Sequence, residues 1–322
     1  MAIKIITDNS CDIDPKVEAQ FNIHKIPLYI NIGEKSYLEG VDITREQFYA
    51  QLPTMKDFPK TAAPSPETFI KAYRQAQSEG FGGVLSIHVS GRLSATINSA
   101  YLAEKEITDF SVKVIDSQNL SGGAGFVVEA AARAAKEGHS LEQVVEVINN
   151  TIPRTYTFAI LDGVDHLQHS GRMGQFITTL GSVLKIRLML KMNRGRPGAE
   201  QFRTHKKGME RLGELIHKLA PFEKFVFLHA NAPDSITEIK DIFTTLLGSA
   251  VDYPTMVINP VLGSHLGPTA VGFSAVTQNF PDASIFEKSL QSIKLAASKF
   301  HLPDVSNIPN PFDRKSGDDK KE

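Results

Sequence analysis

Short apolar runs that alternate with amphipathic segments restrict the fold more than any other feature of this chain. In the first half, strand-like runs at Ile3–Thr7, Lys25–Ile32, Gly83–Ile87 and Val112–Ile115 are interleaved with helical patterns. Those patterns fall at Pro15–Phe21, Arg45–Leu52, Pro66–Glu79, Ser94–Ile107, Ser121–Glu137 and Ser140–Thr151. Parallel strands need a crossover long enough to hold a helix, so this alternation predicts a mainly parallel sheet flanked by helices. Thr151-Ile152-Pro153-Arg154 reads as a crossover into a second α/β segment. There, Thr157–Leu161, Phe225–Ala230 and Thr255–Ile258 read as strands, and Met173–Leu184, Lys206–Leu219 and Pro233–Leu247 as helices. Asn193–Gly198 reads as a turn between two extended segments. The expected architecture is two α/β domains, residues 1–153 and 154–280. A chain of 322 residues with 41% apolar composition has ample material for such cores. Beyond them, 281–304 is expected to form an amphipathic helix packed on the body. Its apolar positions are Ile285, Phe286, Leu290, Ile293, Ala297 and Phe300. Residues 305–322, charged and without apolar anchors towards their end, are expected to be a disordered tail.

Composition excludes several functions. Lys plus Arg is 35 and Asp plus Glu is 36, a net charge of -1, so no basic excess points to nucleic acid. A single cysteine, Cys11, permits no internal disulfide and fits a reducing cytosol; it reads as a small packed residue. No stretch approaches the roughly 20 apolar residues of a membrane span, and the N-terminus reads as a first strand rather than a signal peptide. A cytoplasmic protein without an integral membrane segment is expected.

Five turns rich in small and hydroxyl residues follow strand-like runs. They begin at Thr7, Thr61, Ser94, Asp116 and Gly263. In an α/β sheet such turns gather along one edge, where ligands bind. The Ser94 turn sits between the Gly83–Ile87 strand and a helical pattern. Ser94 reads as an N-cap, and the helix start behind it as a place for an anion. No turn carries a phosphate-loop pattern or the dinucleotide glycine fingerprint, and no nucleotide or other cofactor is implied.

Several polar groups have both a structural and a functional reading. Asp8, Asp12 and Asp14 follow the first strand, where aspartate most often caps a turn or helix. His166 and His169 lie near Asp162 and Asp165, but no established zinc spacing completes them. Arg172, with Gly171 and Gly174 close by, reads as an exposed arginine that is either solvated or available to an anion or partner. His265 stands between Gly263 and Gly267 in a glycine-rich turn, where a structural and a functional role are both open. No serine has nucleophile-elbow spacing.

Taken in order, these stretches resemble the DegV family of bacterial fatty-acid-binding proteins. The similarity is carried by Ile6–Asp12, Glu39–Ile43, Lys60–Ser65, Leu93–Thr96, Asp116-Ser117, Ser170–Met173 and Gly263–Pro268, and spans about residues 3 to 277. The resemblance implies two α/β domains with a long acyl chain buried between them. It implies that Thr61 and Ser94 hold the carboxylate, that His265 lies close to it, and that Arg172 stands at the pocket mouth and partner surface. Thr96 and Ser117 are further pocket candidates. Family members of the FakB type present bound fatty acid to a separate ATP-dependent FakA-type kinase, which makes acyl phosphate; the carrier itself is not the catalyst. This chain departs from the family pattern at Ala62, Ala95 and Thr269, where the family has serine, glycine and glycine.

Two functions follow. One is a carrier of long-chain fatty acid for a kinase. The other is a stand-alone enzyme acting on a small anionic or sugar-phosphate substrate, with His265 as acid/base and Arg172 as anion clamp.

Overall fold

Four parallel strands form the sheet of the first half, in the order His24–Ile26, Ile3–Asp8, Gly83–His88, Val112–Asp116. The computed structural model describes residues 2–176, 187–247 and 253–281. Successive side chains of a strand point to opposite faces, and here both faces are apolar. Ile5, Leu85 and Ile87 pack against the helices Ser121–Lys136 and Leu141–Thr151 through Val127, Val128, Val144 and Ile148. Ile6, Val84 and Val114 pack on the other side against Pro66–Ser78 and Thr96–Glu106 through Phe69, Tyr73, Ile97 and Ala100. This is the mainly parallel, helix-flanked sheet expected from the alternation.

The second half contains a six-stranded sheet in the order Arg196–Phe202, Arg187–Asn193, Thr155–Leu161, Val271–Thr277, Phe222–His229, Thr255–Val257. All its pairs are antiparallel except the last. A small antiparallel sheet of Lys35–Leu38, Tyr29–Ile32 and Lys60–Ala62 completes the first half. The largest core joins the halves: Leu28, Phe48, Tyr49, Val89 and Leu120 belong to the same buried cluster as Leu161, Leu188, Leu228, Ile258 and Leu262.

Four local expectations are corrected. The run Lys25–Ile32 is two strands in two sheets, His24–Ile26 and Tyr29–Ile32; Pro27 lies between them, has no N–H to give a ladder, and ends the first. Thr61 is not in a turn but in the edge strand Lys60–Ala62. The Gly263 segment is the helix Pro260–Leu266, started by Asn259 as N-cap and Pro260 at its first position. Ser94 is not the N-cap: the helix spans Thr96–Glu106, and Ser94 Oγ accepts from the Thr96 N–H at 3.2 Å from one position before the cap. The expected helix Met173–Leu184 is seen as Met173–Phe176; its remainder, the C-terminal helix and the charged tail lie outside the described residues.

Candidate functional site

The carboxyl ends of the parallel strands face a cavity of about 690 Å3 (its open mouth included) whose walls come from both halves. Ser10 reaches it from the turn after Ile3–Asp8, Thr61 and Ala62 from the edge strand, and Ser94 and Ala95 from the turn ahead of Thr96–Glu106. The second half supplies Arg172, which stands between the helices Asp165–His169 and Met173–Phe176, and His265 on Pro260–Leu266. The remaining wall is mainly aliphatic and aromatic, with Leu28, Val89, Leu93, Leu167, Phe176 and Val261 among its members. A second, almost wholly apolar cavity of about 350 Å3 shares Leu120, Phe176, Leu262 and Leu266 with the first and runs along the six-stranded sheet over Ala159, Leu190 and Met192.

Thr61 Oγ1 and His265 Nε2 are 3.0 Å apart. Burial, with the positive charge of Arg172 and His166 nearby, pulls the His265 pKa down to about 3, so the ring is neutral at physiological pH. Its Nδ1 is buried with no hydrogen-bond partner among the described residues. A buried N–H without an acceptor costs about 1–3 kcal/mol, which favours the tautomer with its proton on Nε2. In that tautomer Nε2 donates to Thr61 Oγ1, and the Thr61 hydroxyl proton is left to donate elsewhere. A parallel arrangement holds Ser94, whose Oγ lies 2.8 Å from Thr96 Oγ1 and accepts from the Thr96 amide. When Thr96 donates, the Ser94 proton is likewise free. Arg172 is half-buried, its Nη1 donating to Ser170 O at 2.9 Å, and it is the one formally charged side chain among the described residues that line the first cavity.

The residues singled out in the sequence are therefore brought together in part. Thr61, Ser94, His265 and Arg172 line one cavity; Thr96 and Ser117 do not. Thr96 is fully buried behind Ser94. Ser117 is also buried, its Oγ donating to Asn119 O and accepting from the Asn119 amide, as a local turn does. Ala62 and Ala95, two of the departures from the family pattern, face the cavity. Asp14 caps the helix Pro15–Phe21. Asp162 instead pairs with Arg187 and His205, and His169 stacks on Phe58 with ring centroids 3.9 Å apart. Cys11 is buried, and burial beside Asp8 pushes its thiol well above the usual range, so it is a packed residue.

Sequence reading missed Ser10 and the buried polar chain behind it. Asp8 accepts from the Ser10 amide and hydroxyl, from Val89 N, and pairs with His88 Nδ1 at 3.0 Å. His88 Nε2 is 2.7 Å from Ser86 Oγ, to which Tyr73 donates. Burial alone would raise the Asp8 pKa, but the His88, Ser10 and Val89 contacts outweigh it and hold the carboxyl below its ordinary value. Ser86 and His88 are two apart on one strand and so share a face. That pairing was visible in the sequence, but the aspartate that completes it comes from a neighbouring strand.

The profile of the family described as "Uncharacterised protein, DegV family" matches residues 2–278. A DegV domain-containing protein of Listeria innocua is 31% identical over 282 residues, 85% of this chain and 99% of its own length. Among solved structures, a fatty-acid-binding DegV protein from Bacillus subtilis superimposes with a TM-score of 0.77 at 26% identity, over 86% of this chain and 100% of that one. A DegV family protein from Thermus thermophilus, described for its fatty acid binding, gives 0.76 at 29% identity over 86% and 100%. A DegV lipid-binding protein from Thermotoga maritima gives 0.75 at 27% over 87% and 100%. With its profile match, its relatives and its fold in agreement over the same residues, this chain belongs to the DegV family.

Proposed function

We propose that the chain binds a long-chain fatty acid and presents it to a FakA-type fatty acid kinase. The observation that carries this reading is the lining of the cavity, a small set of polar side chains in an otherwise apolar wall. Ser10, Thr61, His265, Ser94 and Arg172 supply its polar side chains, while its remaining wall is mainly apolar and borders a second, mostly apolar cavity across shared residues. A carboxylate leaving water needs donors, and the two freed hydroxyls of Thr61 and Ser94 provide them. The acyl chain then supplies affinity: at about 0.8 kcal/mol per buried methylene, a dozen methylenes contribute roughly 10 kcal/mol before ordering costs. The fatty-acid-binding relatives from Bacillus subtilis and Thermus thermophilus support the same ligand class.

The stand-alone enzyme has less support. The triad-like set Ser86, His88 and Asp8 is fully buried and none of the three lines the cavity, so Ser86 has no access to a substrate there. His265, neutral down to about pH 3, is a poor general acid at physiological pH. Native mass spectrometry of the purified protein tests the choice. A copurified long-chain acid is expected; an empty protein that turns over a small anionic substrate would replace the carrier by the enzyme.

A further inference from the structure

We infer that Asn259 is a positioning residue for the polar groups of the cavity, its side-chain amide tying the turn that carries Ser10 to the helix that carries His265. Asn259 is fully buried and uses both ends of its amide. Its Oδ1 accepts from the Leu262 N–H at 2.9 Å, which caps the helix Pro260–Leu266. Its Nδ2 donates to Asp12 Oδ2 at 3.1 Å and to Ser10 O at 3.3 Å. The orientation is dictated by the partners, since a backbone N–H must meet the oxygen and a carboxylate must meet the NH2. Asp12 is held in turn by Ser121, whose hydroxyl donates to Oδ2 at 2.7 Å, and by Arg45, whose guanidinium is 3.2 Å from Oδ1.

Capping alone does not explain an asparagine here. Serine or aspartate caps a helix as well, but aspartate offers no donor and serine only one O–H on a shorter side chain, where asparagine offers two N–H, one to Asp12 and one to Ser10. The bridge crosses between the halves, and each side of it leads directly to a lining residue: Ser10 within the first turn, and His265 further along the capped helix. Losing the side-chain donor leaves the longer bond from the Asn259 N–H to Asp12 Oδ2, 3.4 Å, as the tie at this contact, which lets the helix shift against that turn and changes the distance between His265 and Thr61. The same helix also carries Val261, Leu262 and Leu266 of the apolar wall, but Leu28, Val89, Leu93, Leu120, Leu167 and Phe176 stand on other elements, so acyl-chain burial depends on this contact less than the His265–Thr61 distance does. The role rests on the carboxylate reading above, and it predicts a change in headgroup recognition rather than in affinity for the chain.

The test compares palmitate with its methyl ester, which keeps the chain but lacks the charge, in a fluorescent displacement assay on the full chain. Asn259→Ser keeps a cap and replaces the two N–H donors by one O–H on a shorter side chain. Asn259→Asp keeps cap and size and sets an oxygen against Asp12; the double variant Asp12→Asn with Asn259→Asp restores a donor–acceptor pair across the contact. In both single variants palmitate affinity is expected to fall about tenfold while ester affinity stays within about twofold, and the double variant is expected to recover part of the loss. Wild-type protein that prefers acid over ester, with the same preference in both single variants or with both ligands lost together, overturns the positioning role alone. Wild-type protein that binds neither ligand overturns the carboxylate reading and this role with it.

Discussion

Thr61 Oγ1 lies 3.0 Å from His265 Nε2, although the two residues are 204 positions apart and belong to different halves of the chain. The contact makes the histidine a donor to the threonine and leaves the threonine hydroxyl as donor to a ligand. Ser94 reaches the same state through Thr96. The double change Thr61→Val with Ser94→Ala is therefore expected to weaken long-chain fatty acid binding by about 2–4 kcal/mol, at roughly 1–2 per charge-assisted bond. Unchanged affinity in a displacement assay would remove both from the carboxylate site.

The depressed pKa of His265, about 3 against an ordinary value near 6.5, makes stability depend on pH. Between those values the unfolded chain binds a proton that the folded chain does not, so stability rises with pH there and is lost as pH falls. A single group of this kind accounts for about 1–2 kcal/mol between pH 6.5 and 5. His265→Gln is expected to flatten this part of the profile. Urea denaturation of both proteins at several pH values measures it, and parallel slopes would show that the ring titrates normally.

Elements with local signals were legible in the sequence. The parallel sheet followed from alternation, and helices such as Leu141–Thr151 and Pro15–Phe21 start at the residues Ser140 and Asp14 that cap them. What depended on distant partners was not. Thr61 became a strand residue because Tyr29–Asn31 offer Lys60–Ala62 an antiparallel edge, with Thr61 opposite Ile30. The helix Pro260–Leu266 was hidden by Gly263, which is required because a Cβ there would collide with the Tyr49 hydroxyl that donates to Ile258 O. The candidate site residues came mostly from a family resemblance. The tie between Asn259 and Asp12 has no local signature in either segment.

Ligand preference is expected to grow with chain length. The two cavities share Leu120, Phe176, Leu262 and Leu266 as a common wall, so a chain that moves these side chains aside gains apolar burial in the second cavity. Each added methylene contributes about 0.8 kcal/mol until the space is filled, after which affinity levels off or falls. A series of saturated acids in one competition assay reads this directly. Equal competition by acetate-sized acids or sugar phosphates would exclude the carrier.

Arg172 is expected to matter for transfer more than for binding. It stands on the short link between two helices beside Gly171, which has a positive φ of 72°, and it is half-buried, with its guanidinium tied to Ser170 O and part of its surface in solvent. From there the group can meet the phosphate of a nucleotide on a partner, which a planar guanidinium binds in a bidentate way. In the proposed function Thr61 and Ser94 supply the donors to the carboxylate without it. Arg172→Ala is thus expected to keep fatty acid affinity within a few fold while lowering acyl-phosphate formation with a FakA-type kinase by at least about tenfold. Both measurements are made on one preparation, with the carrier saturated by ligand in the kinase assay. A large loss of affinity with normal coupling at saturation would assign Arg172 to the carboxylate instead. No change in either, with a stability shift of at most about 1 kcal/mol, would leave it a surface arginine holding the Ser170 turn.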